Sequence, residues 1–400
     1  MSAEVTLIKK LILEDAMQSI TIQELLQIPQ EERHIFDVRS EADYTRGTIP
    51  GAVWVEGDAL MEEEAHLDTI EQCTGTRYIL CHTGEKSAEV VDFLEQKGID
   101  SINVEGGYRS FLRMSLQQVV AEEDSMLERQ KDIERSIIKK FRKPIWRKFT
   151  KGINEYDLIQ DGDHIAVCIS GGKDSMLMAK LLQELKRHGK NNFELTFLVM
   201  NPGYNEENWQ IIQNNAKILG IPLTVFNTEI FDVVATIEEN PCYLCARMRR
   251  GYLYNQAKQL GCNKIALGHH FDDVIETTLM GMLYSGKFET MLPKLHSQNF
   301  EGMELIRPMY LVKEEDIKAW RDYNDLHFIQ CACRFTEMCS SCGGEKKSKR
   351  DEMKGLIRQF RATSDIIETN IFNSTKNVNL DMLIGYKKDG VKHHFLDTYK

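Results

Sequence analysis

Between His164 and Ser285 short apolar runs alternate with amphipathic stretches of helical length, and this alternation restricts the fold more than any other feature. HIAVCIS, ELTFLVM, PLTVFN and NKIALG read as buried strands. SMLMAKLLQELKRHG, NWQIIQNNAKILG, LCARMRRGYLYNQAKQLG and DDVIETTLMGMLYSG carry apolar residues at the helical period. Strands joined through helices pair in parallel, so the segment predicts an α/β fold with a doubly wound parallel sheet. A smaller α/β unit occupies residues 21–111, with HIFDV, RYILC and SINV as strands, EADYTRG as a helix or turn and KSAEVVDFLEQKG as a helix. The chain divides into a first domain, 1–113, an acidic connector helix, 114–134, and the larger domain, 135–330. A cysteine-rich segment, a helix and a polar tail fill 331–400.

At 400 residues and 42% hydrophobic, the chain has room for two or three cores. No apolar run reaches the roughly 18 residues of a membrane span, and Lys9, Lys10, Glu14 and Asp15 interrupt the first apolar stretch, so neither insertion nor export is expected. Ten cysteines in such a chain point to thiol chemistry or metal in a reducing cytoplasm rather than to disulfides. The net charge of −11 excludes a uniformly basic nucleic-acid binder. The exception is 135–151, with eight Lys or Arg, no acid, and Phe141, Trp146 and Phe149 interleaved. Lys139, Lys140, Arg142, Lys143, Arg147 and Lys148 read as RNA phosphate contacts, which Arg247, Arg249 and Arg250 extend. The competing reading is an amphipathic helix whose charged side is only solvated.

Three constellations carry chemistry. The first is the loop Cys81-His82-Thr83-Gly84-Glu85-Lys86-Ser87, between a strand and a helix, where backbone amides and the helix N-terminus favour a thiolate or persulfide anion on Cys81. The alternative is an inert strand-end cysteine. Asp37-Val38-Arg39, Tyr44, Ile49-Pro50-Gly51-Ala52 and Glu105-Gly106-Gly107-Tyr108 surround it in sequence, and together they resemble the rhodanese-like sulfurtransferase domain over about 20–113. The resemblance implies a persulfide on Cys81, with Lys86 as the basic residue at the loop's end where Arg is commoner. Ser87 stands where phosphatase relatives, with a longer loop, place Arg.

The second is Ser170-Gly171-Gly172-Lys173-Asp174-Ser175, again between strand and helix, where glycines let amides approach an anion. SGGKDS resembles the pyrophosphate loop of PP-loop ATP pyrophosphatases, which implies ATP cleaved between its α- and β-phosphates. Lys173 and Mg²⁺ would stabilise the departing pyrophosphate, and Asp174 would meet the metal. In Leu267-Gly268-His269-His270-Phe271-Asp272-Asp273, Gly268 permits close approach and Asp273 is the candidate metal or ribose partner. His269 and His270 read equally as ordinary strand-end histidines. Met200, ending the second strand, is placed near adenine by topology.

The third is Pro241-Cys242-Tyr243-Leu244-Cys245, two thiols one helical turn apart, a pattern open to redox, zinc or cluster chemistry. From PCYLCARMRRGYLY through KIALGHHFDDVIET, MLPKL and IRPMY to FIQC, about 135–372 resembles the tRNA 2-thiocytidine synthetase family. That resemblance implies a [4Fe–4S] cluster on Cys242, Cys245 and Cys331 with one iron open for sulfur, and a homodimer. It also implies tRNA as substrate, with cytidine 32 the target. The sequence departs from the family's second CxxC at Cys331-Ala332-Cys333 and Cys339-Ser340-Ser341-Cys342, which leaves Cys333 as a competing third ligand and a separate zinc site open. The combined expectation is ATP-dependent tRNA thiolation, with sulfur loaded on Cys81 by an upstream donor such as a cysteine desulfurase. Direct persulfide transfer without a cluster, lysidine-type amine attachment and a non-catalytic persulfide or iron–sulfur relay are the alternatives.

Overall fold

The computed structural model describes residues 19–235, 241–329 and 349–399. Two compact units are present, Met1–Ser125 and Met126–Lys400.

In the first unit β1 (Ser19–Thr21), β2 (His34–Asp37), β3 (Val53–Trp54), β4 (Arg77–Leu80) and β5 (Ile102–Glu105) form a parallel sheet in the order β1-β5-β4-β2-β3. The helices are α1 (Ile22–Leu25), α2 (Glu41–Arg46), α3 (Gly57–Glu63), α4 (Leu67–Glu71), α5 (Glu85–Gln96) and the opening turns of α6 (Gly107–Ile138). The period of two sends successive strand residues to opposite faces. Phe36, Ile79 and Cys81 join Val90, Val91 and Leu94 in one core. Ile35, Tyr78 and Leu80 join Ile22, Leu25 and Val104 in the other. The sheet is covered on both faces, as parallel sheets require.

In the second unit a π-helical turn (Arg142–Trp146) leads into α7 (Arg147–Glu155). There follow β6 (His164–Ile169), α8 (Lys173–His188), β7 (Glu194–Asn201), α9 (Glu206–Leu219), β8 (Leu223–Asn227), α10 (Ile230–Ala235) and α11 (Pro241–Gln259). Next come β9 (Lys264–Ala266), α12 (Phe271–Ser285), β10 (Lys294–His296), β11 (Glu304–Ile306) and α13 (Glu314–Tyr323). After the segment outside the described residues come α14 (Lys349–Thr363), α15 (Ile367–Ser374) and a hairpin of β12 (Gly385–Lys388) and β13 (Val391–His394). The sheet order is β10-β11-β9-β6-β7-β8, parallel except for the β10–β11 pair. The chain winds outward from β6 through β7 to β8, then returns to lay β9 on the other side of β6. That reversal opens a crevice at the carboxyl ends of β6 and β9, the usual ligand site of such sheets.

Three features differ from the sequence reading. The connector is part of one 32-residue helix, Gly107–Ile138, that starts before residue 114. The strands β10 and β11 are not anticipated by the sequence reading, because three residues each carry too little periodicity to register. The tail read as polar contains the β12–β13 hairpin. In the basic segment, Phe141, Ile145, Phe149 and Ile153 recur every four residues and are buried in the core. Lys139, Lys140, Arg142, Lys143 and Arg147 are exposed.

Lys180 is fully buried on α8, where its ammonium donates to Glu134 Oε1 at 2.7 Å and to the Leu219 carbonyl at 2.8 Å. Burial holds the lysine below its usual range. Burial also opposes the charge on Glu134, but hydrogen bonds from Arg187, Lys180 and Gln130 outweigh it and bring that carboxyl down to about 2. Glu134→Ala strands the buried ammonium and should cost about 3 kcal/mol in urea unfolding at pH 7. Because the folded pKa lies below the unfolded one, the pair contributes fully above pH 4.5. The difference between wild type and variant should therefore shrink as pH falls from 4.5 towards 2.

Candidate active sites

Each unit presents a strand–loop–helix turn in which glycine takes the place of a capping side chain. Cys81 follows β4 and is 2% exposed. Its Sγ accepts from the Gly84 amide at 3.1 Å and lies 3.1 Å from Ser87 Oγ. The loop's carbonyls turn the other way. Tyr108 N–H donates to the Cys81 carbonyl at 2.8 Å and Arg109 N–H to that of His82 at 3.1 Å. Gly107, at φ 57°, permits this closeness: a Cβ there would stand 2.4 Å from the Cys81 oxygen. With its carbonyls engaged by the first turn of α6, the loop leaves amides for the sulfur. The N-cap of α5 is Gly84, which makes no side-chain cap, so the helix end adds to the positive field.

The other motif residues of this unit hold the frame. Arg39 donates to both oxygens of buried Asp37 and, at 2.7 Å, to the Gly47 carbonyl, and its guanidinium lies 3.9 Å over the Tyr108 ring. Tyr44 donates to the Ala52 carbonyl at 3.0 Å. Lys86 pairs with Asp58 of α3 at 2.6 Å. Asn103 on β5 was not singled out from sequence: its Nδ2 donates to the Gly84 carbonyl at 3.1 Å and its Oδ1 accepts from Ser87 at 2.7 Å. No local motif marks it, since the contact forms only when β5 pairs beside β4.

In the second unit the PP-loop and the Gly268 segment meet at the crevice. Ser175 Oγ accepts from the Ser170 amide at 3.1 Å and donates to the Gly172 carbonyl at 3.0 Å, folding the loop on itself. Gly171 takes φ 82°, and a Cβ there would strike Ile212 and Ile329 at 2.6 and 2.7 Å. Gly172 is the N-cap of α8 and supplies no side-chain cap. A Cβ on Gly268 would lie 3.1 Å from Ser175 N and 3.2 Å from Asp174 C, so the second segment abuts the first turn of α8.

The polar groups converge there. Lys173 bonds Asp174 at 3.0 Å and Glu314 at 3.1 Å. Burial opposes its charge, yet Asp174 and Glu314 raise its affinity for the proton. Burial likewise opposes ionisation of Glu314, but Lys318 and Lys173 carry it down to about 2. Asp174 Oδ1 is buried without a hydrogen-bond partner, as are His269 Nδ1 and His270 Nδ1. His270 Nε2 lies 3.9 Å from Asp174 Oδ1. Desolvation pushes His269 down to about 4, so it is neutral at physiological pH. An uncapped helix N-terminus, a half-buried ammonium and an orphaned carboxylate oxygen fit a polyphosphate with its divalent cation.

Asp273 is engaged from within: Oδ2 accepts from the His270 amide at 3.0 Å and Oδ1 from Arg350 of α14 at 3.1 Å. Burial opposes its ionisation, and the charges of His270 and Arg350 hold it below the usual carboxylate range. Met200 is 3% exposed and packs with Ile230, against half-buried Cys245 of α11. Cys242 and Cys245 occupy the first two turns of α11. Cys331, Cys333, Cys339 and Cys342 lie outside the described residues, and no metal-ligating cluster of three occurs among those described. Arg249 lies 3.4 Å from Tyr204 Oη and, with Arg250, Tyr254 and Leu267, lines a cleft of about 230 Å³; Arg247 is exposed. Of the basic-segment residues, Lys148 pairs with Asp316 at 3.2 Å and Lys140 sits 3.5 Å over the Tyr323 ring. Glu314 and Arg350 were missed by the sequence reading; each reads locally as an ordinary helix-terminal charge.

Residues 21–114 match the rhodanese-like domain model and residues 141–333 a PP-loop domain model. The chain is 34% identical over 251 residues to the tRNA-cytidine(32) 2-sulfurtransferase of Paraburkholderia xenovorans (strain LB400), covering 61% of this chain and 71% of that one. The chain belongs to the tRNA-cytidine(32) 2-sulfurtransferase family. It is 31% identical to the member from Anaeromyxobacter sp. (strain K), over 60% of this chain and 81% of that one. Among solved structures, the U34-tRNA thiolase NcsA from Methanococcus maripaludis with its [4Fe-4S] cluster aligns with a TM-score of 0.46 at 20% identity, over 57% of this chain and 76% of that one. A rhodanese-like domain protein from Staphylococcus aureus aligns at 36% identity over 24% of this chain and 90% of that one, with a TM-score of 0.22. The chain is thus a sulfurtransferase of this family with a rhodanese-like domain ahead of its PP-loop domain. No helix among the described residues is long and apolar enough to cross a membrane.

In the family member described here, Gly268→Ala should weaken ATP binding by an order of magnitude or more, because the added methyl meets rigid backbone at the start of α8. Gly355→Ala, which meets nothing within 4 Å inside α14, should leave it unchanged. Titration with a fluorescent ATP analogue reads both.

Proposed function

We propose that this protein thiolates tRNA, replacing the O2 of a cytidine, position 32 by family membership, with sulfur carried on Cys81. The observation that carries the ATP step is the orphaned Asp174 Oδ1 beside Lys173 at an uncapped helix N-terminus. Amides at Gly172 and Lys173 receive the departing pyrophosphate, Lys173 neutralises its charge, and Asp174 meets the magnesium ion. Glu314 holds the Lys173 ammonium in place before nucleotide arrives. Asp273, with both oxygens engaged, acts as a cap and anchor for Arg350 rather than as the primary metal partner. Transfer of AMP to the base oxygen turns a poor leaving group into a good one, so that sulfur attacks the same carbon and AMP departs.

Cys81 holds the transferable sulfur as a persulfide, and the loop amides stabilise its negative charge. A cysteine desulfurase is the class of donor that loads it. Release of that sulfur at the sulfide level consumes two electrons, taken from a thiol pair left as a disulfide. Cys242 and Cys245, thiols one turn apart, suit a [4Fe–4S] cluster, with Cys331 or Cys333 as third ligand. When bound, the cluster supplies an iron with an open position for sulfur. The exposed face of Lys139, Arg142, Lys143 and Arg147, with Arg247, faces RNA phosphate. Cytoplasmic tRNA is the substrate.

Nucleoside analysis of tRNA from cells with and without the gene tests the product: loss of 2-thiocytidine alone is expected, and its persistence refutes the proposal. In vitro, Cys81→Ser should abolish persulfide labelling and leave ATP binding intact. Lys173→Ala should lower AMP release on the order of 10²-fold or more with labelling of Cys81 unchanged.

A further inference from the structure

We propose that the β12–β13 hairpin, Gly385–His394, is a second tRNA-contacting element that grips backbone phosphate; this rests on the tRNA reading above. The hairpin is closed by Asp389-Gly390, both at positive φ, 50° and 81°, the signature of a type I′ turn. Among the described residues it forms a two-stranded sheet of its own. A two-stranded sheet of this kind contributes little stability by itself, so packing does not explain its composition.

That composition is electrostatically unfavourable in isolation. The register sets Lys387 directly opposite Lys392, and Tyr386 opposite His393. Like charges across a strand pair repel. Lys387, Lys388 and Lys392 are exposed, and none makes an ion pair among the described residues. The nearby carboxylate of Asp397 is taken by the His394 amide at 2.8 Å, and Asp389 is the turn residue. The hairpin thus concentrates three unpaired ammonium groups within a chain of net charge −11. Tyr386 and His393 stack at 4.7 Å between centroids, 16° from coplanar, on the face opposite Lys387 and Lys392, the face that Lys388 shares. A polyanion relieves the Lys387–Lys392 repulsion, and counterion release on phosphate makes the contact salt-dependent. The phosphates of an RNA strand match closely spaced, unpaired lysines better than the dispersed carboxylates of a folded protein do.

The test measures binding of full-length protein to unmodified tRNA transcript across a salt series, for wild type, the triple variant Lys387→Ala/Lys388→Ala/Lys392→Ala and the corresponding triple Arg variant. The alanine variant should bind on the order of tenfold more weakly at about 0.15 M salt. Its log–log salt slope should fall by about two to three, at roughly 0.7–0.9 per lost contact. The arginine variant should keep both values, and ATP binding should be unchanged throughout. Equal affinity and slope in wild type and alanine variant overturn the hairpin's role while leaving the tRNA reading standing. An alanine variant that loses polyglutamate binding but keeps tRNA binding overturns it in favour of an acidic protein partner. Absence of tRNA binding by wild type overturns the tRNA reading and the hairpin's role together.

Discussion

The amides at the start of a helix have no partners within it, and the two helices that follow the Cys81 strand and the SGGKDS strand leave theirs without a side-chain cap, as α3, α4, α7 and α13 also do. The Ser40 side chain caps α2 and that of Asn205 caps α9. At α5 and α8, which follow the strands bearing Cys81 and the PP-loop, the N-cap is glycine and no side chain intervenes. Glycine in place of a capping side chain forgoes only about a few tenths of a kcal/mol, and the positive field it leaves exposed can then act on an anion. The two units share no strand order, yet both have come to the same use of a helix end at the carboxyl edge of a parallel sheet.

Around the second of these ends the charges form a chain. Glu314 bonds Lys173 and, through its amide, Asp272 at 2.7 Å. Asp272 pairs with Arg361, which also pairs with Glu368, and Lys313 reaches Glu368 at 3.1 Å. Arg350 joins Asp273 to Glu276. The helices α14 and α15, which follow the cysteine-rich segment, are thereby fastened to the residues bordering the PP-loop. Within this network each acidic side chain faces a basic one.

Much of this was legible in the sequence, for physical reasons that also mark where legibility stops. The alternation of apolar runs and amphipathic helices fixed the parallel sheets, because burial on both faces leaves few other patterns. Cys81, the SGGKDS loop and Gly268 were readable because backbone geometry at a strand–helix turn demands particular residues at consecutive positions. Glu314, Arg350 and Asn103 were not, since each acts through a contact made only in the folded sheet, and an acid in the first turn of a helix is ordinary. Asp273, singled out by residue type as a candidate metal or ribose partner, also stands at the third position of α12, where it accepts from the His270 amide, a contact its residue type alone did not announce. The basic segment takes the amphipathic arrangement, with its aromatic side in the core and most of its cations in solvent, an arrangement compatible with either of its readings.

The interlock between the Cys81 loop and Gly107 has a consequence for engineering and for descent. The seven residues that begin at Cys81 do not constitute a portable sulfur-holding cassette, because their amides face inward only while the peptide planes of Tyr108 and Arg109 restrain the opposite side. Transplanted without the Gly106-Gly107 corner, the same letters would lose the donors that engage the Cys81 and His82 carbonyls. Any lineage that preserves the loop must therefore carry the distant corner with it, and drift in one should be readable as drift in the other.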